Sequence, residues 1–230
     1  MVDRPSPAHQ RGYTMRARQE HVDQTRLRIT EATVRLHEEV GPAATTVSAV
    51  ADRAGVTRLT VYRHFSDGQA LVGACAAHWG ALHPAPDTAS WLSIDDPEQR
   101  LRAALLDMFT WARAAAPMMT KIYRDLHVMP TFVGDSLRRQ EQDRVIVLAA
   151  GFPVTGRKAH RLRTALTHAI AFGTWQSLCM VGQLRDDEAV ELMVAAVLAA
   201  VQAPVRRPKH PPRPKGIASP ADQTRTANIY

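Results

Sequence analysis

The chain has 230 residues, 45% of them hydrophobic, and a formal net charge of +7, which is enough apolar material for one large domain or two smaller ones. The charge excess is concentrated: residues 204–230 hold six Lys/Arg against one Asp, whereas residues 84–203 are balanced, so basicity alone does not define a nucleic-acid binder. Cys75 and Cys179 fit no metal or redox spacing, no apolar run nears the roughly 20 residues of a membrane span, and the opening residues lack the apolar core of a secretory signal, so a cytoplasmic location with no membrane partner is expected.

Residues 1–22 are polar, contain Pro5, Pro7 and Gly12, and show no periodicity. They read as a disordered arm, with Arg11, Arg16 and Arg18 either following a DNA backbone or simply solvated. A first helix is predicted over 25–40, its inner face made of Leu27, Ile29, Ala32, Val34 and Leu36 and its end set by Gly41-Pro42. Arg26 and Arg28 near its start suit phosphates or plain solvent equally.

The next stretch, TVSAVADRAGVTRLTVYRHFSDGQAL, predicts two short helices about a tight turn and the start of a third. Thr46 is a cap for the first, over 47–54, where Val47, Val50, Ala51 and Ala54 share one face. Gly55 suits the positive φ that ends a helix. Thr57 caps the second, over 58–65, whose Val61 and Phe65 point inward. Arg58, Leu59, Thr60, Tyr62, Arg63 and His64 are left outside. Two helices joined so closely form a helix-turn-helix, which lays its second helix in the DNA major groove. Arg58 and Arg63 suit guanine edges or phosphates, Thr60 allows close approach, and Tyr62 and His64 can donate to phosphate oxygens.

The run AGVTRLTVYRHFSDGQAL, with Tyr62 of TVYRHF seven residues after Gly55, resembles the DNA-binding signature of the TetR/AcrR-family transcriptional regulators. The resemblance covers about residues 25–82. It implies contacts to double-stranded operator DNA from Thr46, Thr57, Arg58, Leu59, Thr60, Tyr62, Arg63, His64 and the backbone at Gly68. The family often has lysine where Gly68 stands, so one phosphate-facing charge is missing. The resemblance further implies an all-α fold, an N-terminal DNA-binding domain over 23–82, a helical ligand-binding and dimerisation domain over 83–203, repression as the default action, and no cofactor.

Asp67 is a cap for the helix over 68–82, and a loop is expected from His83 to Asp95. Asp96-Pro97-Glu98-Gln99 starts a helix reaching Ala116. Pro117 is expected to break it, leaving a separate segment over 118–129 before a helix over 132–150. Two closing helices are predicted over 157–181 and 186–201. The last is apolar almost all round, so it must be covered on more than one side; in the family this pair builds the dimer through a four-helix bundle, and a core helix of a monomer is the other reading. Residues 204–230 read as a disordered basic tail.

Methionines and aromatics recur between the central helices. Met108, Trp111, Met119, Tyr123, Leu126, His168, Phe172 and Trp175 are expected to line a pocket for a hydrophobic small-molecule effector, since thioethers repack and aromatic faces stack on flat ligands; a plain helical core would use the same residue types. No metal-spaced histidine pair, phosphate-binding glycine loop or GxSxG motif supports an enzyme. An architectural DNA-binding protein that takes no ligand is the alternative reading.

Overall fold

The computed structural model describes residues 7–203, and every regular element there is helical. The all-α fold that the resemblance implies is therefore the fold observed among the described residues; the basic tail 204–230 lies outside them. Helices α1 (Pro7–Glu39), α2 (Val47–Ala54), α3 (Arg58–His64) and α4 (Gly68–Leu82) come first. They are followed by α5 (Thr88–Leu92), α6 (Pro97–Asp125), α7 (Thr131–Ala149), α8 (Gly156–Ile170), α9 (Phe172–Trp175) and α10 (Asp186–Gln202). A short 3₁₀ turn, Leu126–Val128, follows α6, and a π-helical stretch, Gln176–Val181, follows α9.

Several boundaries differ from the sequence pattern, each for a physical reason. Residues 7–22 are helical rather than a disordered arm, because α1 begins at Pro7. Met15 and Val22 are exposed there, so no apolar stripe marks the extension. It propagates from the docked half of α1 with helix-favouring Arg, Gln, Glu and Met, and extending a helix needs no new nucleus. Leu27 is likewise exposed rather than part of the inner face. The loop after α4 contains α5, too short for periodicity to reveal; Asp87 caps it by accepting from Ala89 N at 2.9 Å. Its Trp91 is buried and donates Nε1–H to Asp107 Oδ2 at 2.8 Å.

Pro117 does not break α6, which runs through it. Proline in a helix interior costs about 3 kcal/mol. Here Ala112 and Ala115 on one side and Met118, Met119 and Ile122 on the other are all buried, and their packing offsets that cost. Conversely, the single helix predicted over 157–181 is interrupted. Ala171 is extended, at φ −65° and ψ 137°. The Thr174 hydroxyl donates to the His168 carbonyl at 2.5 Å, an acceptor that a continuous helix would give to the N–H of residue 172.

Two apolar clusters result. The smaller joins Ile29, Ala32 and Leu36 of α1 to Val50, Ala51 and Ala54 of α2, Val61 of α3, Phe65 and Leu71. The larger is built on α6, with Trp91, Leu148, Leu162, Leu166, Trp175, Val190, Val194 and Val197 packed round it. Helices α1 and α4 feed both, since Val34, Cys75 and Trp79 belong to the larger one. Arg113 holds α10 to α6 through a two-pronged pair with Asp186, at 2.6 and 2.9 Å, and Trp175 Nε1–H donates to the same carboxylate at 3.2 Å.

The α1–α2 corner is fastened to the end of α6. Asp125 Oδ2 accepts from Ala43 N at 3.0 Å, and Arg124 Nη2 donates to Val40 O at 2.9 Å. Arg124 also grips Asp125 itself, at 2.6 and 2.9 Å. Gly41 lies between them at φ +93°, and a Cβ there would run into the Arg124 guanidinium and the Asp125 carboxylate. The Arg124 hydrogen bonds, with help from Ala43 N–H, hold the Asp125 carboxyl at about 2, below its ordinary value. A depressed folded-state pKa gives stability that is complete above about pH 4 and lost as pH falls through 2. We predict that Asp125→Asn lowers the unfolding free energy by about 1.5–3 kcal/mol near neutrality, and that the gap to the unmutated protein narrows between pH 4 and pH 2 in urea titrations. A gap that stays constant across that window would contradict the assignment.

Candidate nucleic-acid interface and interior cavity

Helices α2 and α3 are set by side-chain caps and one glycine. Thr46 Oγ1 accepts from Ala49 N at 3.1 Å, and Thr57 Oγ1 accepts from Thr60 N at 3.2 Å. Gly55 is left-handed at φ 65°, ψ 40°, the conformation that turns a chain sharply without a Cβ penalty. Val56 N then reaches back to Ala51 O at 3.0 Å. The turn sends Val61 and Phe65 into the small cluster, so the opposite face of α3 points outward.

That face carries Arg58, Leu59, Tyr62 and Arg63, all exposed. Leu59 and Tyr62 are 69% and 50% exposed, so apolar and aromatic surface stands beside the two arginines. Neither arginine is in an ion pair among the described residues. Thr60 is half-buried, and its hydroxyl shares a 2.9 Å hydrogen bond with that of Thr57. His64 is also half-buried; burial, then the charges of Arg26 and Arg63, lower its imidazole pKa. Gly68 opens α4 behind the Asp67 cap, whose Oδ1 accepts from Ala70 N at 2.8 Å, and open space lies where its Cβ would be.

One supporting residue escaped the sequence pattern. Arg26 of α1 donates Nη1–H to His64 O at 2.5 Å and places its guanidinium 4.2 Å from the Phe65 ring centroid. It thus caps the C-terminal end of α3 rather than standing free for a phosphate. Nothing in spacing alone pairs two residues 38 positions apart.

All the expected effector residues but Leu126 divide over three concavities. The main cavity, about 570 Å³, lies between α4, α6 and α7 and takes Trp111 and Met119 from the expected set. It adds His37 of α1, Val72, Cys75, Ala76 and Trp79 of α4, Met118 and Ile122 of α6, and Phe132, Val133, Leu137, Gln140 and Arg144 of α7. Met108, Tyr123, Phe172 and Trp175 instead edge a cleft of about 40 Å³, which Trp111 and Met119 also touch. Tyr123 stacks on Phe172 at 5.3 Å and Phe172 packs on Trp175 at 5.4 Å, so these rings fill space themselves. His168 is exposed, in a separate hollow with Gly173 and Ser177. Leu126 lines none of the three and packs towards Gly134.

The pattern missed α4 and α7 because their inner faces mix small, aromatic and polar residues. Trp79 stacks on His83 at 4.6 Å and gives its Nε1–H to Glu38 Oε1 at 3.1 Å. His37 Nδ1 meets Cys75 Sγ at 3.5 Å. Burial pushes the His37 imidazole down to about 4 and the Cys75 thiol up to about 12, so both are neutral near pH 7.

A capped helix-turn-helix with an outward, cation-bearing second helix defines a DNA-binding protein of the regulator type. Residues 29–75 match the family model of the TetR-family bacterial regulatory proteins. The HTH-type transcriptional regulator TtgR of Pseudomonas putida is 29% identical over 199 residues, which cover 84% of each chain. Solved TetR transcription regulators share the fold: one from Haloarcula marismortui has 19% identity and a TM-score of 0.52 over 78% of this chain and 97% of its own. Another from Marinobacter aquaeolei has 21% identity and a TM-score of 0.53 over 79% of this chain and 97% of its own. The N-terminal segment thus matches the DNA-binding domain of the TetR-family regulators and the chain shares their fold, which supports sequence-specific DNA binding in the regulation of transcription. No helix among the described residues is long and apolar enough to cross a membrane.

Because Arg26 fastens α3 from behind, we predict that Arg26→Met costs about 1–2 kcal/mol in urea unfolding, from one charge-assisted bond and one cation–π contact. Arg28→Met, whose guanidinium reaches only Thr25 Oγ1 at 3.4 Å, should change stability by less than about 0.5 kcal/mol. Equal losses for the two would remove the capping role.

Proposed function

We propose that two copies of this chain hold a palindromic operator through α3 as a repressor, and that a small hydrophobic molecule in the cavity between α4, α6 and α7 releases them. The observation that carries this reading is shared support. Helices α1 and α4 pack against the reading helices and also wall the cavity, through His37 and through Val72, Cys75 and Trp79. A ligand that binds the released form about 1.4 kcal/mol better than the DNA-bound form shifts occupancy tenfold.

In this reading Arg58, Leu59 and Thr60 meet base edges. Thr46, Thr57, Tyr62, Arg63, His64 and the α4 N-terminus at Gly68 meet phosphates. The dimer uses α8 and α10. Val194 and Val197 are buried in the protomer's own core, whereas Leu192, Ala195, Ala196 and Ala199 leave an apolar face on α10 open. Small residues of this kind let a second helix approach closely. A two-fold pair then sets the α3 helices to half-sites about 34–36 Å apart, or a multiple of that.

Selection of bound sequences from random duplex DNA tests the reading: enriched inverted repeats support it, and bending without sequence preference supports an architectural protein instead. On the selected operator, Arg58→Ala should relax base preference at a cost of about 1–3 kcal/mol, whereas Tyr62→Phe should weaken all sequences alike; the reverse outcome would exchange their roles. Ala196→Glu should leave the melting temperature within a few degrees but give monomers in sedimentation that no longer hold the operator. Dimers that survive Ala196→Glu would place the interface elsewhere.

A further inference from the structure

We propose that the effector is an organic anion, with its apolar body in the cavity between α4, α6 and α7 and a carboxylate paired with Arg144. This rests on the reading of that cavity as the effector site and specifies what the site selects.

Arg144 is half-buried on α7 and lies on the wall common to the main cavity and the small cleft beside it. It brings the one guanidinium or ammonium group to the main cavity among the residues lining it. The arginines of the neighbouring α6 are all matched. Arg102 takes Glu191 at 2.6 and 3.1 Å, Arg113 takes Asp186, and Arg124 takes Asp125. The buried Arg100 gives its guanidinium to the Ile94 carbonyl at 2.8 and 2.9 Å. Arg144 has no carboxylate within 4.0 Å among the described residues, and its one hydrogen bond is a long one, from Nη2 to Gln140 Oε1 at 3.5 Å.

Burial lowers the Arg144 pKa, opposed in part by Tyr123 of α6 and by Glu141 and Asp143 of its own helix. Those neighbours do not supply a matched partner. Burial raises the Tyr123 hydroxyl and the Glu141 carboxyl, and neither Glu141 nor Asp143, which is exposed and also lines the cavity, comes within 4.0 Å of the guanidinium. A guanidinium drawn out of water without a partner is unfavourable, and its planar fork matches a carboxylate with two parallel bonds. Most of the remaining wall suits the ligand's body: Trp79, Trp111, Met118, Met119 and Phe132 are apolar and His37 is neutral, while Ser136, Gln140 and the exposed Asp143 on α7 are its polar part.

The test uses the full-length protein and matched probes, a series of aromatic and alkyl carboxylates beginning with 2-naphthoate, each beside its primary amide. Affinities are measured by calorimetry with the unmutated chain, Arg144→Gln and Arg144→Lys, after melting curves establish that each is folded. The proposal expects carboxylates to bind at least about tenfold tighter than their amides, Arg144→Gln to erase that preference while amide affinity stays within about twofold, and Arg144→Lys to retain part of it because the charge remains without the fork. Equal binding of acids and amides, or a preference that survives Arg144→Gln, overturns it. Operator release is read separately. Amides that bind and release the operator as well as the acids leave the effector site standing and sink only the anion; acids that bind through Arg144 without loosening the operator sink the regulatory reading instead.

Discussion

The corner between α1 and α2 hangs on the Asp125 carboxylate. It accepts the Ala43 N–H while Arg124 holds the Val40 carbonyl, so the end of α6 fixes where α2 begins. A backbone turn at φ +93° with two charged groups against it leaves no room for any residue but Gly41. Val40 and Ala43 are exposed, so these two bonds matter for the direction they impose on the turn, and α6 supplies both. The larger helical body thereby determines the position of the helix-turn-helix through a few directional bonds rather than through area alone.

Around that fastening, α1 and α4 act as shared beams. On α1, Ile29, Ala32 and Leu36 enter the small cluster, Val34 enters the large one, and His37 reaches the cavity. Further towards the start of the same helix, Arg26 caps α3. On α4, Leu71 serves the small cluster, and Cys75 and Trp79 serve the large one. His37 also feels the Asp125 charge, which opposes the lowering of its pKa by burial. Cavity wall, fastening and reading helix are thus joined by two rigid helices, the kind of element that carries a small displacement over distance.

The local chemistry of the helix-turn-helix was legible because its signals lie within a few residues. Thr46, Gly55, Thr57 and Asp67 each cap or turn a helix where their side chains predict. Long-range pairing was not legible. Arg26 with His64, Asp125 with Ala43 and Trp91 with Asp107 join segments that no periodicity relates. Pro117 and Ala171 invert the usual rules because tertiary packing outweighs propensity in α6, while the Thr174–His168 bond competes with the helix ladder at Ala171. Of the aromatic and methionine set, Trp111 and Met119 line the open volume, which lies towards α4 and α7, whereas Tyr123, Phe172 and Trp175 stack on one another.

The central claim is that cavity occupancy and operator binding select different placements of the two reading helices. Ser66 follows α3 and is exposed, and both native thiols, Cys75 and Cys179, are buried, so Ser66→Cys can be spin-labelled selectively. Pulsed electron–electron double resonance on the labelled dimer reports the separation across the two-fold axis. The account predicts one narrow distance with operator bound and a different, displaced distribution when a cavity ligand replaces it. The same distribution in both states would contradict it.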